Sequence, residues 1–352
     1  MFSAIVIVGS ELREEETESF LIEKGSALLN APIPTKQATP LACVDVLGRC
    51  VLERLIDDLK RADASAISVL GDICIASRFD ESDAYVKVEP CSADEAWQGV
   101  TQQLMSNRKG AAVTLLVRLG AYAELDLRDA LAFHQEQGRA VTRAYEVEKD
   151  SGKQRALDVW IIDPASVTSK EDIPAILGAP ESSRYLATGY VNRLDDPKDI
   201  RRLAIDGLSS RCRLRPQGTE IRPGVWVDEG AEIDRGARIV APAYIGRRAQ
   251  VAEQCLITRC STIESDCQID YGTVVEDSSI LSNSYVGIGL DLAHSIVDGD
   301  SLLNLERGVM LTIADPDVIR PNRISRQATN WQSAVNFNVA GAPIAPVEEG
   351  SR

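Results

Sequence analysis

A chain of 352 residues in which 44% of the side chains are hydrophobic is long enough for two domains with real cores. Its 53 acidic and 38 basic residues leave a net charge of −15, which argues against general nucleic-acid binding because phosphate backbones need a cationic face. The apolar run 2–8 is too short for a membrane span or a signal-peptide core with its basic flank, so a cytoplasmic protein with no membrane partner is expected.

Over residues 1–207 strand-like and helix-like patterns alternate. Residues 4–8 read as a short buried strand and residues 11–40 as irregular, with acidic and proline-containing stretches. Val51, Leu52, Leu55, Ile56 and Leu59 recur at helical spacing. Residues 66–70 read as a strand. Ser92 and Glu95 form a capping-box signal opening a helix that presents Ala96, Val100 and Leu104. A strand at 111–117 follows, then a helix with Leu127, Leu131 and Ala132, strands near 140–145 and 158–162, and a closing helix over 198–207. Such alternation predicts an α/β domain over residues 1–210, with a mostly parallel sheet covered by helices.

Residues 211–223 read as a basic linker. Arg211, Arg213 and Arg215 there solvate an acidic protein, or meet a phosphate or another subunit. Beyond it, Val227, Ile233, Ile239, Ile245, Val251, Ile257, Ile263, Ile269 and Val275 recur at every sixth position. Small side chains stand two residues before most of them: Ala231, Ala237, Ala243, Ala249, Cys255, Ser261, Cys267 and Thr273. Neither a helix nor an ordinary strand needs period six, whereas a parallel β-helix does, with one repeat per flat face. Three faces per turn predict coils of about 18 residues stacked at about 4.8 Å. The solenoid is expected over 224–316, with a C-terminal extension at 317–352 whose end, 341–352, frays. After Val275 the register slips by one, to Ile280, Val286 and Leu292. Trp226, at the first coil, either caps the prism or packs against the α/β domain, and packing is the expectation.

Of the eight cysteines none forms a CxxC pair, and only two histidines are present. Cys255 and Cys267 fall on the small inner position of the repeat and read as buried, reduced side chains. Neither a zinc site nor a disulfide framework is expected.

An α/β domain followed by hexapeptide repeats resembles the layout of the sugar-nucleotide pyrophosphorylases, the nucleotidyltransferases that join a sugar 1-phosphate to an NTP. Ile245-Gly246 matches that family's hexapeptide pattern directly. Pro40-Leu41-Ala42-Cys43-Val44-Asp45-Val46-Leu47-Gly48-Arg49, followed by Leu52-Glu53, resembles its P-K-P-L-x-P-V-x-G-K-P-L-x-E segment with two extra residues. Arg118-Leu119-Gly120-Ala121 with Glu124-Leu125-Asp126-Leu127 resembles N-G-D-x-x-x-D-L, and Phe133-His134-Gln135-Glu136 with Gly138 resembles F-H-x-x-x-G. Gly189-Tyr190-Val191-Asn192-Arg193-Leu194-Asp195-Asp196-Pro197 lines up on G-Y-W-x-D-I-G-T-P. The resemblance implies a nucleotidyltransferase-like, Rossmann-like α/β domain joined to a left-handed parallel β-helix. It places a ligand pocket at Gly9, Ser10, Arg13, Gly120, Tyr122 and Arg193.

The departures fall on the chemistry. The family's glycine-rich phosphate loop matches Val8-Gly9-Ser10-Glu11-Leu12-Arg13, with one glycine and with Glu14, Glu15, Glu16 and Glu18 behind it. The signature lysine appears as Thr39, and the two acids that hold Mg²⁺ in the family match Ala121 and Arg193. Between Tyr145 and Asp158 the chain is too short for the sugar-binding hairpin. Asp72 and Asp126 are the substitute acids, although one reads as a turn residue and the other as a helix N-cap. A guanidinium at 193 would supply positive charge where the metal sits and still bind phosphate.

The expectation is therefore a catalytically degenerate nucleotidyltransferase-like protein, a sensor or scaffold in sugar-nucleotide and glycan metabolism. No cofactor is expected, and no residue is assigned to catalysis or metal binding. The alternatives are a divergent active enzyme, which would need Mg²⁺, and a hexapeptide acyltransferase using His294 as base. His134 reads as structural. Expected partners are a nucleotide or NDP-sugar, a glycan-synthesis enzyme, and other copies of this chain through the β-helix.

Overall fold

A computed structural model of the chain describes residues 2–8, 40–71, 85–91, 93–107, 113–148, 152–167, 177 and 182–322. In chain order its first region comprises β1 (Phe2–Val8), β2 (Asp45–Val46), β3 (Arg49–Cys50), α1 (Val51–Arg61), β4 (Ala64–Gly71) and β5 (Val86–Pro90). Then come α2 (Ala93–Asn107), β6 (Val113–Arg118), β7 (Tyr122–Ala123), α3 (Leu127–Gln137), β8 (Val141–Val147) and β9 (Gln154–Ile162). β10 (Ser183–Ala187), β11 (Val191–Asn192) and α4 (Pro197–Leu208) close it.

Seven of these strands form one sheet in the order β10-β8-β9-β6-β1-β4-β5. It is mostly parallel, with β9 alone antiparallel to both its neighbours. The connection from β8 to β9 is too short for a crossover, so only a hairpin is possible there. Val6, Val8, Leu115 and Val117 face one core, shared with Leu52, Ile56 and Leu59 of α1 and Ile200 and Leu203 of α4. Ile5, Ile7 and Leu116 face the other, with Ala96, Val100 and Leu104 of α2. The period-two alternation of burial across β1 and β6 is what lets one sheet carry two cores. Ser92 lies outside the described residues, so its capping role does too.

The second region is a series of short, mostly parallel strands in three ladders, compatible with a β-helix. Within a ladder each strand pairs with the strand one coil later. Ile245 pairs with Ile263 and Val251 with Ile269, both 18 residues on. The expected register slip has a specific form. Ile263 pairs with Ile280 and Val275 with Leu292, 17 residues on. The corner at Arg259 and Cys260 turns through two left-handed residues, whereas the equivalent corners one and two coils later use Asp277 alone and then His294 alone (φ 44° and 48°). One corner residue is lost and the inward aliphatics are retained. Ile245, Ile257, Ile263, Ile269 and Val275 are all fully buried in the resulting core, and Cys255 and Cys267 lie among them.

Pairing extends past both ends of the stretch read as solenoid. Thr219–Arg222, within the basic linker, is antiparallel to Val225–Val227. At the far end Ile319–Pro321 runs antiparallel along Ser284–Val286. The antiparallel strands Ser301–Asn304 and Val309–Thr312 extend the first ladder.

The two regions dock through buried polar groups. The β2–β3 turn projects Leu47 and Gly48 at positive φ, and their N–H groups donate to the two oxygens of Glu264, each at 2.9 Å. Gly48 is obligatory there, because a Cβ would collide with the Tyr244 hydroxyl. Ser282 Oγ donates to Asp45 at 2.9 Å. From α4, Arg201 donates to the carbonyls of Cys260 (2.7 Å) and Arg259 (3.2 Å) and to Asp277 (2.7 Å). Tyr244 and Trp226 of the first coils pack into the α/β core.

Candidate functional site at the carboxyl end of the sheet

The chain runs outward from β1 to β4 and β5, then crosses back to β6 on the other side of β1. The connections after β1 and β6 diverge, and the space outside their carboxyl ends is where open α/β sheets bind ligands. Gly9, Ser10 and Arg13, which would enter from β1, lie outside the described residues.

β6 delivers Arg118 to this crest. Its Nε and Nη2 donate to one oxygen of Asp158 on β9, at 2.8 and 2.6 Å. Arg143 of β8 donates to the other oxygen at 3.1 Å and to the Leu157 carbonyl, with its guanidinium 4.9 Å from the Trp160 ring. The crest thus carries guanidinium groups and a carboxylate already engaged by two of them. Sequence reading missed this trio. In the sequence Arg118 stands out only as part of a motif, and its partner is 40 residues away.

After β6 the half-buried Gly120 leads into β7, which pairs antiparallel with β11. Tyr122 is opposite Asn192, so Ala121 and Arg193 adjoin across the pair. Gly189, which precedes this pair, sits where any Cβ would strike the Glu124 carbonyl. The Arg193 guanidinium donates to Glu146 at 2.7 Å and to the Ala156 carbonyl at 3.3 Å. It is therefore a paired arginine, positioned by the carboxyl end of β8 and the start of β9. Beyond it Asp196 caps α4 in a reciprocal capping box with Asp199.

The Tyr122 side chain belongs to the core shared with α1 and α4. Its ring is buried beneath the linker, 6.1 Å from Tyr190, and its hydroxyl donates to Glu124 at 3.1 Å. Burial, then the Glu124 charge, pushes its phenol well above the ordinary value. Glu124 also accepts the Arg213 N–H, while Tyr190 donates to Asp206 at 2.6 Å and Arg211 pairs with Asp206 at 3.0 Å. Two of the linker arginines thus fasten the linker to the α/β domain through acids.

Among the described residues the remaining sequence candidates have structural partners. Asp126 accepts the Asp129 N–H as the N-cap of α3. His134 is buried with Nδ1 2.8 Å from Thr142 Oγ1, and desolvation lowers its pKa. His294, half-exposed at its corner, holds Asp277 at 2.7 Å through Nδ1. Asp72 lies outside the described residues. Among the described residues no group of three or more His, Cys, Asp or Glu could hold a metal ion, and no helix is long and apolar enough to cross a membrane.

No protein-family model matches the chain, and no curated protein matches it.

Proposed function

We propose that this is a nucleotidyltransferase-like protein that binds a nucleotide or NDP-sugar at the crest of its sheet without transferring a nucleotidyl group. The observation that carries the reading is the adjacency of Ala121 and Arg193 across the β7–β11 pair. The pairing sets side by side two segments far apart in sequence, and residues 121 and 193 at its end are the ones that match that family's Mg²⁺ acids in the resemblance. The residues there do not fit the ion. Mg²⁺ takes carboxylates and phosphate oxygens, and a methyl group with a guanidinium supplies neither. Arg193 and the Arg118–Asp158–Arg143 trio suit phosphate oxygens instead. The second region then serves as a left-handed β-helix for self-association or for docking a glycan-synthesis enzyme.

The test is a thermal-shift screen of NTPs and NDP-sugars with and without Mg²⁺, run beside a pyrophosphate-release assay with sugar 1-phosphates. The reading expects stabilisation by a nucleotide ligand without Mg²⁺, weakened in Arg193→Ala, and no turnover. Steady Mg²⁺-dependent pyrophosphate release would refute it. Light scattering that gives a monomer at micromolar concentration would remove self-association. A second reading, acyl transfer, is favoured by one observation: Asp277 fixes Nδ1 of a half-exposed His294, the orientation of a general base. Failure to bind acyl-CoA in calorimetry removes it.

A further inference from the structure

A cavity of about 490 Å³ opens between α2 and the strands β1, β4 and β5, toward the amino end of β1 and away from the crest. The inward residues of α2 form two stripes. Ala96, Val100 and Leu104 pack into the core with Ile5, Ile7 and Leu70. Gly99, Gln103 and Asn107, also at four-residue spacing, line the cavity instead. The sheet answers in kind. Ile5, Ser68 and Lys87 lie in one row across β1, β4 and β5, and Ser3 stands two residues before Ile5.

A helix packed on a sheet ordinarily meets it with apolar residues, since burying them is the reason the layers associate. Here amides and hydroxyls face each other across a gap. A local break of the core pattern within an otherwise consistent sheet is where binding function is expected. One end of the groove is preorganised: Asn107 Nδ2 donates to Ser3 Oγ at 2.9 Å and to Thr114 Oγ1 at 3.3 Å. The Gln103 amide and the Ser68 hydroxyl, both half-buried, have no hydrogen-bond partner among the described residues. At the rim Lys87 and Glu89 neutralise each other at 2.6 Å.

The chemistry selects the ligand. An anion would meet only the Lys87 ammonium, already engaged by Glu89. An apolar ligand would leave Gln103 and Ser68 covered and unpaired, at a cost of about 1–3 kcal/mol each. A ligand rich in neutral hydroxyls satisfies both groups, and its C–H surface can lie against Ala66 and Gly99. The volume falls in the range of about 300–1,000 Å³ typical of small-molecule sites. We infer that this groove is a carbohydrate-binding site for a neutral mono- or disaccharide, separate from the crest.

Saturation-transfer NMR with maltose, cellobiose and chitobiose as probes tests this on the full chain. Transfer to at least one sugar is expected, abolished by Ser68→Phe, which fills the groove, and reduced several-fold by Gln103→Leu, which keeps its shape. Circular dichroism and cooperative urea unfolding check that each variant folds. Should Ser68→Phe fail to fold, Gln103→Leu decides. No transfer to any of the three sugars, or transfer unchanged in a folded variant, overturns the inference.

Discussion

Glu264 is fully buried between the two regions, and its replacement by glutamine makes the sharpest test of how they are joined. Burial raises its pKa, the Asp45 charge adds to the rise, and the N–H groups of Gly48 and Leu47 and the charge of Arg54 oppose it. The outcome is a carboxyl pushed up from 4.5 to about 7. A carboxylic acid whose folded-state pKa lies above its unfolded value binds its proton more tightly in the native protein. Its contribution to stability is therefore complete below the unfolded value and is lost as pH rises through the folded one. At about 1.4 kcal/mol per pKa unit, the loss between about pH 5 and about pH 8 is about 2–3 kcal/mol. Glutamine has the same shape and does not ionise. Urea unfolding of wild type and Glu264→Gln at the two pH values should show wild type losing about 2–3 kcal/mol more than the variant. The other titrating groups are common to both proteins and cancel in the difference. Parallel pH profiles would refute the argument. A wild type that gains on the variant as pH rises would show that the two N–H donors and Arg54 outweigh desolvation.

Three further outcomes follow from the packing. Arg201→Met leaves the Cys260 and Arg259 carbonyls without their donor and Asp277, a third exposed, with His294 as a remaining partner, and should cost about 1–3 kcal/mol in urea unfolding. Gly48→Ala should cost about 1–3 kcal/mol, since its φ of 89° disfavours a side chain and the new methyl strikes the Tyr244 hydroxyl; adding Tyr244→Phe should recover part of the loss in a double-mutant cycle. Ile257→Ala, at a fully buried hexad position, should cost about 2–5 kcal/mol, whereas Ile288→Ala, 66% exposed, should change stability by less than about 0.5 kcal/mol.

The hexad ladder was legible because a solenoid returns the same face inward at each repeat, so Ile245, Ile257 and Ile269 announce themselves by spacing alone. The slip after Val275 was legible for the same reason, but its cause was not. A corner that turns on Asp277 in place of the Arg259-Cys260 pair leaves no compositional mark. In the α/β region the strands and helices were readable from periodicity, while the antiparallel direction of β9 was not, since its second half, 159–162, is as apolar as a parallel strand. Gly189 stood out within a motif because backbone crowding demands glycine there. The Arg118–Asp158–Arg143 trio did not stand out, because only sheet register brings those residues together. Glu264 left no signal either: a glutamate in a corner of an acidic chain reads as solvated until the β2–β3 turn is seen to cover it.

The orientation of the two regions makes demands on the sequence that are independent of any chemistry at the crest. α4 begins just beyond Arg193 in a reciprocal capping box and places Arg201 in the solenoid corners about one turn later. The crest loop and the solenoid therefore share one capped helix. On the other side of the interface, the β2–β3 turn delivers two backbone donors to Glu264. Apolar contacts such as Tyr244 and Trp226 would hold the regions together over a range of angles, because hydrophobic attraction is non-directional. Donor–acceptor pairs at both edges admit only one orientation, since any other leaves buried charges and carbonyls unpaired. That requirement acts on Gly48, Arg201, Glu264 and Asp277 whether or not residues 121 and 193 can hold a metal. Arg193 finds its partner in Glu146, apart from those pairs, so the docking of the two regions does not depend on it.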